Sequence, residues 1–154
     1  MLHVTVLAVG KVKEKFLREG IAEYEKRLRP YVRLKIIELP DEALGQNTEN
    51  AKEIEGKKIL KEVKDGAYMV VLDPKGKQIS SEEFGQWFGA REMSGQEVVL
   101  AIGGASGLAD KVKNRADEAL SFSRLTFPHQ LFRLILIEQV YRAYKILRGE
   151  PYHL

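Results

Sequence analysis

Three stretches of this 154-residue chain carry residues suited to holding a ligand. In the first, an apolar run ends at Ile102 and meets Gly103, Gly104, Ala105, Ser106 and Gly107. Glycines leave the backbone amides bare, so a ligand can approach the main chain at the carboxyl end of a strand, where α/β sheets bind their ligands. The second stretch is Leu72, Asp73, Pro74, Lys75 and Gly76, again closing an apolar run. The third is residues 121–129, with Ser121, Ser123 and Thr126 outside any regular pattern. Together they offer backbone donors and acceptors between apolar walls from Leu72, Leu125 and Phe127, a lining that suits an adenosyl group better than a polyphosphate. No G-x-x-x-x-G-K-[ST] is present, and the G-G-x-x-G follows a late strand, which argues against a phosphate loop or a dinucleotide site. A fourth feature is the segment Glu150, Pro151, Tyr152, His153, Leu154. There a phenol that can stack on a nucleobase stands beside an imidazole that exchanges protons near neutral pH. Glu138 and Arg142, four apart, read as a local ion pair, and His129 after Pro128 as a helix-start residue.

The elements that must position these residues follow from periodicity. Residues 2–9 read as a strand, and Phe16, Leu17, Ile21, Tyr24 and Leu28 recur at helical spacing up to Pro30. Residues 32–39 alternate as a second strand closed by Pro40, and residues 41–47 form a polar loop. A charged helix with a narrow stripe of Ala51, Ile54, Leu60 and Val63 is expected over 48–64, then a buried strand over 67–72 and a turn at 73–76. Ser80 with Glu83 makes a capping box for a helix carrying Phe84, Trp87 and Phe88 that ends near Gly95. Residues 97–102 form the next strand, and 120–127 a short strand or extended loop. Pro128 then opens a helix that runs to Gly149. This alternation predicts one α/β domain over residues 1–154, with a parallel sheet covered by helices on both faces. The final helix is apolar nearly all round its first half, which predicts a homodimer, with one side on the sheet and another on a partner subunit.

Composition narrows the function further. No cysteine is present, so disulfides, thiolate metal sites and cysteine nucleophiles are excluded, and three histidines make a metal centre unexpected. Apolar runs are far shorter than a membrane helix needs, and residues 1–10 lack the pattern of a signal peptide, so a soluble cytoplasmic protein is expected. The net charge is only +3 but unevenly spread: residues 11–35 hold nine basic and four acidic groups, and residues 124–154 five and two. If these ends meet in the fold, they form a rim suited to a polyanion.

The motifs LHVTVLAVGK, LDPKGK, AIGGASGL, LSFSRLTFPHQLFRLILIEQVYRAYKI and PYHL, in this order, resemble the ribosomal RNA large-subunit methyltransferase H family, small SPOUT-class enzymes, over the whole chain. The resemblance implies a SPOUT-type α/β fold with a C-terminal trefoil knot, a homodimer packed through it, and S-adenosylmethionine as methyl donor without a metal. It further implies methylation of N3 of a pseudouridine in 23S rRNA on assembled ribosomes, with no membrane or DNA partner. By position, the cofactor contacts are Leu72, Gly103, Gly104, Ser123, Arg124, Leu125, Thr126, Phe127 and Pro128; Tyr152 and His153 meet the target base; His129 and Arg142 are candidates for the RNA side. Members commonly end in Tyr-His-Arg, whereas Leu154 stands here, so a terminal arginine's contact to phosphate or cofactor carboxylate is absent or is supplied by Arg142, Arg148 or the terminal charge. Two other readings compete. A non-catalytic ribosome- or RNA-binding protein on the same fold would need the basic ends but not the cofactor loops. A flavodoxin-type nucleotide domain needs a phosphate loop after the first strand, and Gly10, Lys11, Val12 and Lys13 do not supply one.

Overall fold

A computed structural model describes residues 1–42 and 48–154. Strands and helices alternate in the order β1 (His3–Val9), α1 (Lys15–Leu28), β2 (Arg33–Leu39), α2 (Thr48–Lys61), β3 (Tyr68–Gln78), α3 (Ser81–Ser94), β4 (Val98–Ile102), α4 (Asp110–Arg115), β5 (Glu118–Ser121) and α5 (His129–Leu147). The five strands form one parallel sheet in the spatial order β2-β1-β4-β3-β5. β4 lies at the centre, with Leu100 level with Val6 on one side and Val70 on the other. Its sequence, VVLAI, has no polar residue because helices cover both of its faces.

Side chains alternate between those faces. Val4, Val6, Val98, Leu100 and Val70 point into one core, where Leu17 and Ile21 of α1, Phe84 and Phe88 of α3, and Leu136, Val140 and Tyr144 of α5 cover them. Leu7, Val99, Ala101, Met69 and Val71 point the other way, under Ile59 of α2 and Val112 of α4. Fully burying an aliphatic side chain contributes about 1.5–3 kcal/mol, so the two layers hold the sheet edges in place. The expected capping box is present: Glu83 N–H donates to Ser80 Oγ at 3.1 Å and Ser80 N–H to Glu83 Oε1 at 2.8 Å. Gly95 ends that helix with φ +71°, a left-handed conformation that favours glycine.

Several local expectations are corrected. Residues 73–76, expected as a turn between elements, instead lie within β3, which runs to Gln78: Leu72 and Lys77 both pair with Leu120 of β5, so the four residues between them bulge out of the ladder. The Pro-Lys-Gly run keeps its local bend, and the strand resumes beyond it because β5 pairs again with Lys77 and Gln78. A Cβ on Gly76 would lie 2.7 Å from the Ala119 carbonyl carbon, so the glycine serves close strand approach. Along α2, the buried residues are Ala51, Glu55, Gly56 and Ile59, whereas Ile54, Leu60 and, just beyond the helix, Val63 are half-buried. Phe16 is 67% exposed rather than part of the core. Pro128 sits at the N-cap of α5, one position before the first helical residue. The loop expected over 41–47 falls largely on residues 43–47, outside the described residues.

Candidate functional site

The carboxyl ends of β3, β4 and β5 open into a crevice. Its floor is set by the glycine loop. After Ile102 the chain doubles back, Gly107 N–H donating to the Gly104 carbonyl at 3.0 Å with Gly107 at φ +82°. A Cβ on Gly103 would come within 3.0 Å of Leu108, and one on Gly104 within 2.9 Å of Val9, so glycine at both positions lets the loop return closely without displacing its neighbours. The opposite wall is residues 121–127. Ser121 Oγ donates to the Ser123 carbonyl at 3.0 Å and Leu125 N–H to Ser123 Oγ at 2.9 Å, so both hydroxyls shape the loop. Behind it Phe122 and Phe127 pack on Phe132 of α5, at 5.6 and 6.1 Å between ring centres.

Of the residues expected to hold a cofactor, Leu72, Gly103, Gly104, Ser123, Leu125, Thr126 and Phe127 line the crevice. Arg124 and Pro128 belong to the same loop but are not among the lining residues. Asp73, Pro74, Gly107, Ser121 and Phe122, from the three stretches expected to face a ligand, line it too, whereas Ile102, Leu108, Lys113, Leu120 and Phe132 were missed. The signal for Leu108 lay in the motif AIGGASGL, since a loop that doubles back brings its next residue under its first. Lys113 carried no local signal. His129, at the start of α5, lines the crevice as well, while Arg142 lies elsewhere.

Arg142 belongs to a second cluster, built around the C-terminal segment. Tyr152 is docked rather than frayed: its hydroxyl donates to Glu138 Oε2 at 2.7 Å and lies 3.1 Å from Tyr24 OH, and its ring packs edge-on against Tyr141 at 4.8 Å. Burial first, then these hydrogen bonds to Tyr24 and Glu138, hold the Tyr152 phenol protonated well above its ordinary range. Arg142 and Glu138 form the expected i,i+4 pair at 2.7 Å, and the guanidinium also lies 4.8 Å from the centre of the Tyr152 ring. His153 Nδ1 is 3.0 Å from Arg142 and Nε2 is 2.5 Å from Glu82 Oε1. A guanidinium only donates, so in this docked state Nδ1 accepts and Nε2–H donates to Glu82. The His153 hydrogen bond, ahead of any other cause, lowers the Glu82 carboxyl below its ordinary value.

Neither Tyr152 nor His153 lines the crevice. A smaller hollow lies between the two clusters. It shares Phe122, Ser123 and Phe127 with the crevice and reaches Ser81, one residue before Glu82, and Gln139, one residue after Glu138. The basic ends of the chain do meet: Lys13 N–H donates to Gln130 at 2.7 Å, and Tyr24 of α1 touches Tyr152.

A parallel sheet of this strand order, with a glycine-floored crevice at its carboxyl edge, is accompanied by a match of residues 2–153 to the family model described as predicted SPOUT methyltransferase. The chain is 49% identical over 158 residues to the ribosomal RNA large subunit methyltransferase H of Carboxydothermus hydrogenoformans. It is 50% identical over 159 residues to the protein of that name from Pelotomaculum thermopropionicum, and 46% over 158 residues to that of Clostridium kluyveri. Each alignment covers 99% of both proteins. The chain belongs to the ribosomal RNA large subunit methyltransferase H family of SPOUT methyltransferases.

Proposed function

We propose that this protein transfers a methyl group from S-adenosylmethionine to N3 of a pseudouridine in 23S rRNA, acting on assembled ribosomes in the cytoplasm as a homodimer. The observation that carries the reading is the crevice: apolar walls around a bare glycine loop, at the carboxyl edge of a SPOUT-family sheet. Those walls fit the donor. Leu72, Leu108, Leu120 and Phe127 can enclose a purine, and the main chain at Gly103, Gly104 and residues 123–128 can satisfy its polar edge. S-adenosylmethionine, when bound, supplies a methyl group on a sulfonium, already activated for transfer.

The protein's task is then to align the acceptor and receive its imide proton. His153 is the group assigned to the proton, directly or through water, and Tyr152 the group that stacks on or orients the base. Both ring nitrogens of His153 are occupied in the docked state, so accepting a proton requires the ring to leave Arg142. Within one chain the tail stands apart from the crevice, and a second copy can bring its tail to it. Homodimerisation is further supported by exposed Phe16 and Leu125, 67% and 70% accessible, and by half-buried Leu131, Leu134 and Ile135 on α5. The C-terminal knot that the family implies would involve the loops after β4 and β5, which line one crevice, together with α5. Basic groups at both ends of the chain, with His129 and Arg142, make the side facing rRNA. A cytoplasmic site fits the absence, among the described residues, of any helix long and apolar enough to cross a membrane.

The test combines purified protein, labelled S-adenosylmethionine and ribosomes from a strain lacking this modification. Label in large-subunit rRNA that depends on prior pseudouridylation is expected, with loss of turnover in His153→Ala. Label on free rRNA alone, or full turnover by the variant, would overturn the corresponding part of the reading.

A further inference from the structure

We propose that Asp73 and Lys113 form a clamp for the amino-acid end of the methyl donor, so that the crevice distinguishes ligands carrying an α-ammonium and α-carboxylate from shorter adenosine thioethers. This rests on the donor reading above and adds which end of the molecule lies where.

Asp73 and Lys113 are the carboxylate and the ammonium among the described residues that line the crevice. They come from different elements: Asp73 stands at the β3 bulge and Lys113 on α4. Asp73 Oδ1 accepts the Lys75 N–H at 3.0 Å, which fixes the carboxylate and leaves Oδ2 facing Lys113 Nζ at 3.6 Å. That separation is too long for a tight hydrogen bond and short enough for attraction, so either partner can turn to a ligand without being stranded. The two side chains are 17% and 43% exposed, and an ion pair so placed contributes little to folding. The rest of the wall is apolar, notably Leu72, Leu108, Leu120, Phe122 and Phe132. A crevice with one apolar part and one region of paired opposite charges matches a ligand with an aromatic head and a zwitterionic tail. The ligand ammonium faces Asp73, and its carboxylate faces Lys113.

Titration calorimetry on the full chain tests this with S-adenosylhomocysteine and 5′-methylthioadenosine, which share base, ribose and sulfur but differ in the amino-acid end. Asp73→Asn, which keeps the acceptor for Lys75, and Lys113→Met should each weaken S-adenosylhomocysteine about tenfold to a hundredfold. Binding of 5′-methylthioadenosine should change by less than about twofold, the amino-acid end being the sole difference. Circular dichroism melts confirm that both variants fold. Equal weakening of both ligands places the pair at the nucleoside and overturns the clamp, as does unchanged binding of both. If the native chain bound neither ligand, the donor reading itself would fall, and the clamp with it.

Discussion

Replacing Arg133 by methionine should cost this protein about 3 kcal/mol of stability, the sum of a partly buried ion pair and two hydrogen bonds. Arg133 lies on α5 but reaches across to the carboxyl ends of β1 and β2, and it is 1% exposed. Its Nη1 donates to Glu38 Oε2 at 2.7 Å and to the Gly10 carbonyl at 3.1 Å, and Nη2 donates to the Val9 carbonyl at 3.4 Å. Burial lowers the guanidinium pKa, while the adjacent Glu38 opposes that shift. Breaking a fully buried pair costs about 3–5 kcal/mol. Here the Glu38 side chain is 36% exposed and keeps the Val12 N–H at 3.0 Å, so the charge term falls to about 1–2 kcal/mol. Each carbonyl left without its donor adds about 0.5–1 kcal/mol. For a chain of this size, 3 kcal/mol corresponds to a fall in Tm of about 6–12 °C. Calorimetric melting of Arg133→Met, Glu38→Gln and the double variant gives both the loss and the coupling. A loss below about 1 kcal/mol, or no coupling between the two sites, would refute the assignment of Arg133 as the tie between α5 and the crevice floor. That floor depends on the tie because Val9, whose carbonyl Arg133 holds, packs directly against Gly104.

Gly76→Ala should lose about 2–3 kcal/mol in urea unfolding, because the added methyl meets backbone atoms of Ala119 and Leu120 that cannot turn aside. A loss under about 1 kcal/mol would show that the bulge relaxes. Glu55→Gln should stabilise the protein by about 1 kcal/mol at pH 8, since Glu55 is 2% exposed and faces the carboxylates of Asp41 and Glu42. Burial, chiefly, raises its pKa, so ionisation destabilises the fold as pH rises above the ordinary 4.5, and the gain should shrink on acidification; destabilisation at pH 8 would count against this account. Glu82 is shifted the other way: its contact with His153 is at full strength above the ordinary 4.5 and is lost as pH falls through the lower folded value. The protection of the residue 152–154 amides, taken relative to the intrinsic exchange rate at each pH, should therefore fall in acid, and Glu82→Gln should lower it at neutral pH; protection indifferent to both changes would remove Glu82 from the docking.

Local signals were legible where the physics is local. The Ser80–Glu83 box and the left-handed Gly95 complete each other within one helix, so the residue types suffice to place α3. The wholly apolar β4 followed directly by paired glycines marks both a buried central strand and the loop that floors the crevice. The reading failed where a distant partner outweighs local preference. Residues 73–76 have turn composition, yet β3 resumes after them because β5 pairs again with Lys77 and Gln78, and α2 buries Glu55 beside the Glu42 N–H and the carboxylates of residues 41 and 42, which follow β2. Lys113 was invisible for the same reason: nothing near it in sequence tells that α4 returns to within 3.6 Å of Asp73.

By itself the sequence determined the class of fold, the family, and the loops that would face a ligand, because periodicity, caps and glycine requirements act over a few residues. Only the tertiary structure decided the strand order, the joining of three loops and α4 into one crevice, and the docking of the C-terminal segment on α1 and α5. Those depend on pairs such as Tyr24 and Tyr152, 128 positions apart, or Glu38 and Arg133, 95 apart, whose meeting is set by how the whole sheet is covered. It also decided that one chain holds its tail away from its own crevice, a separation that no pattern along the sequence encodes.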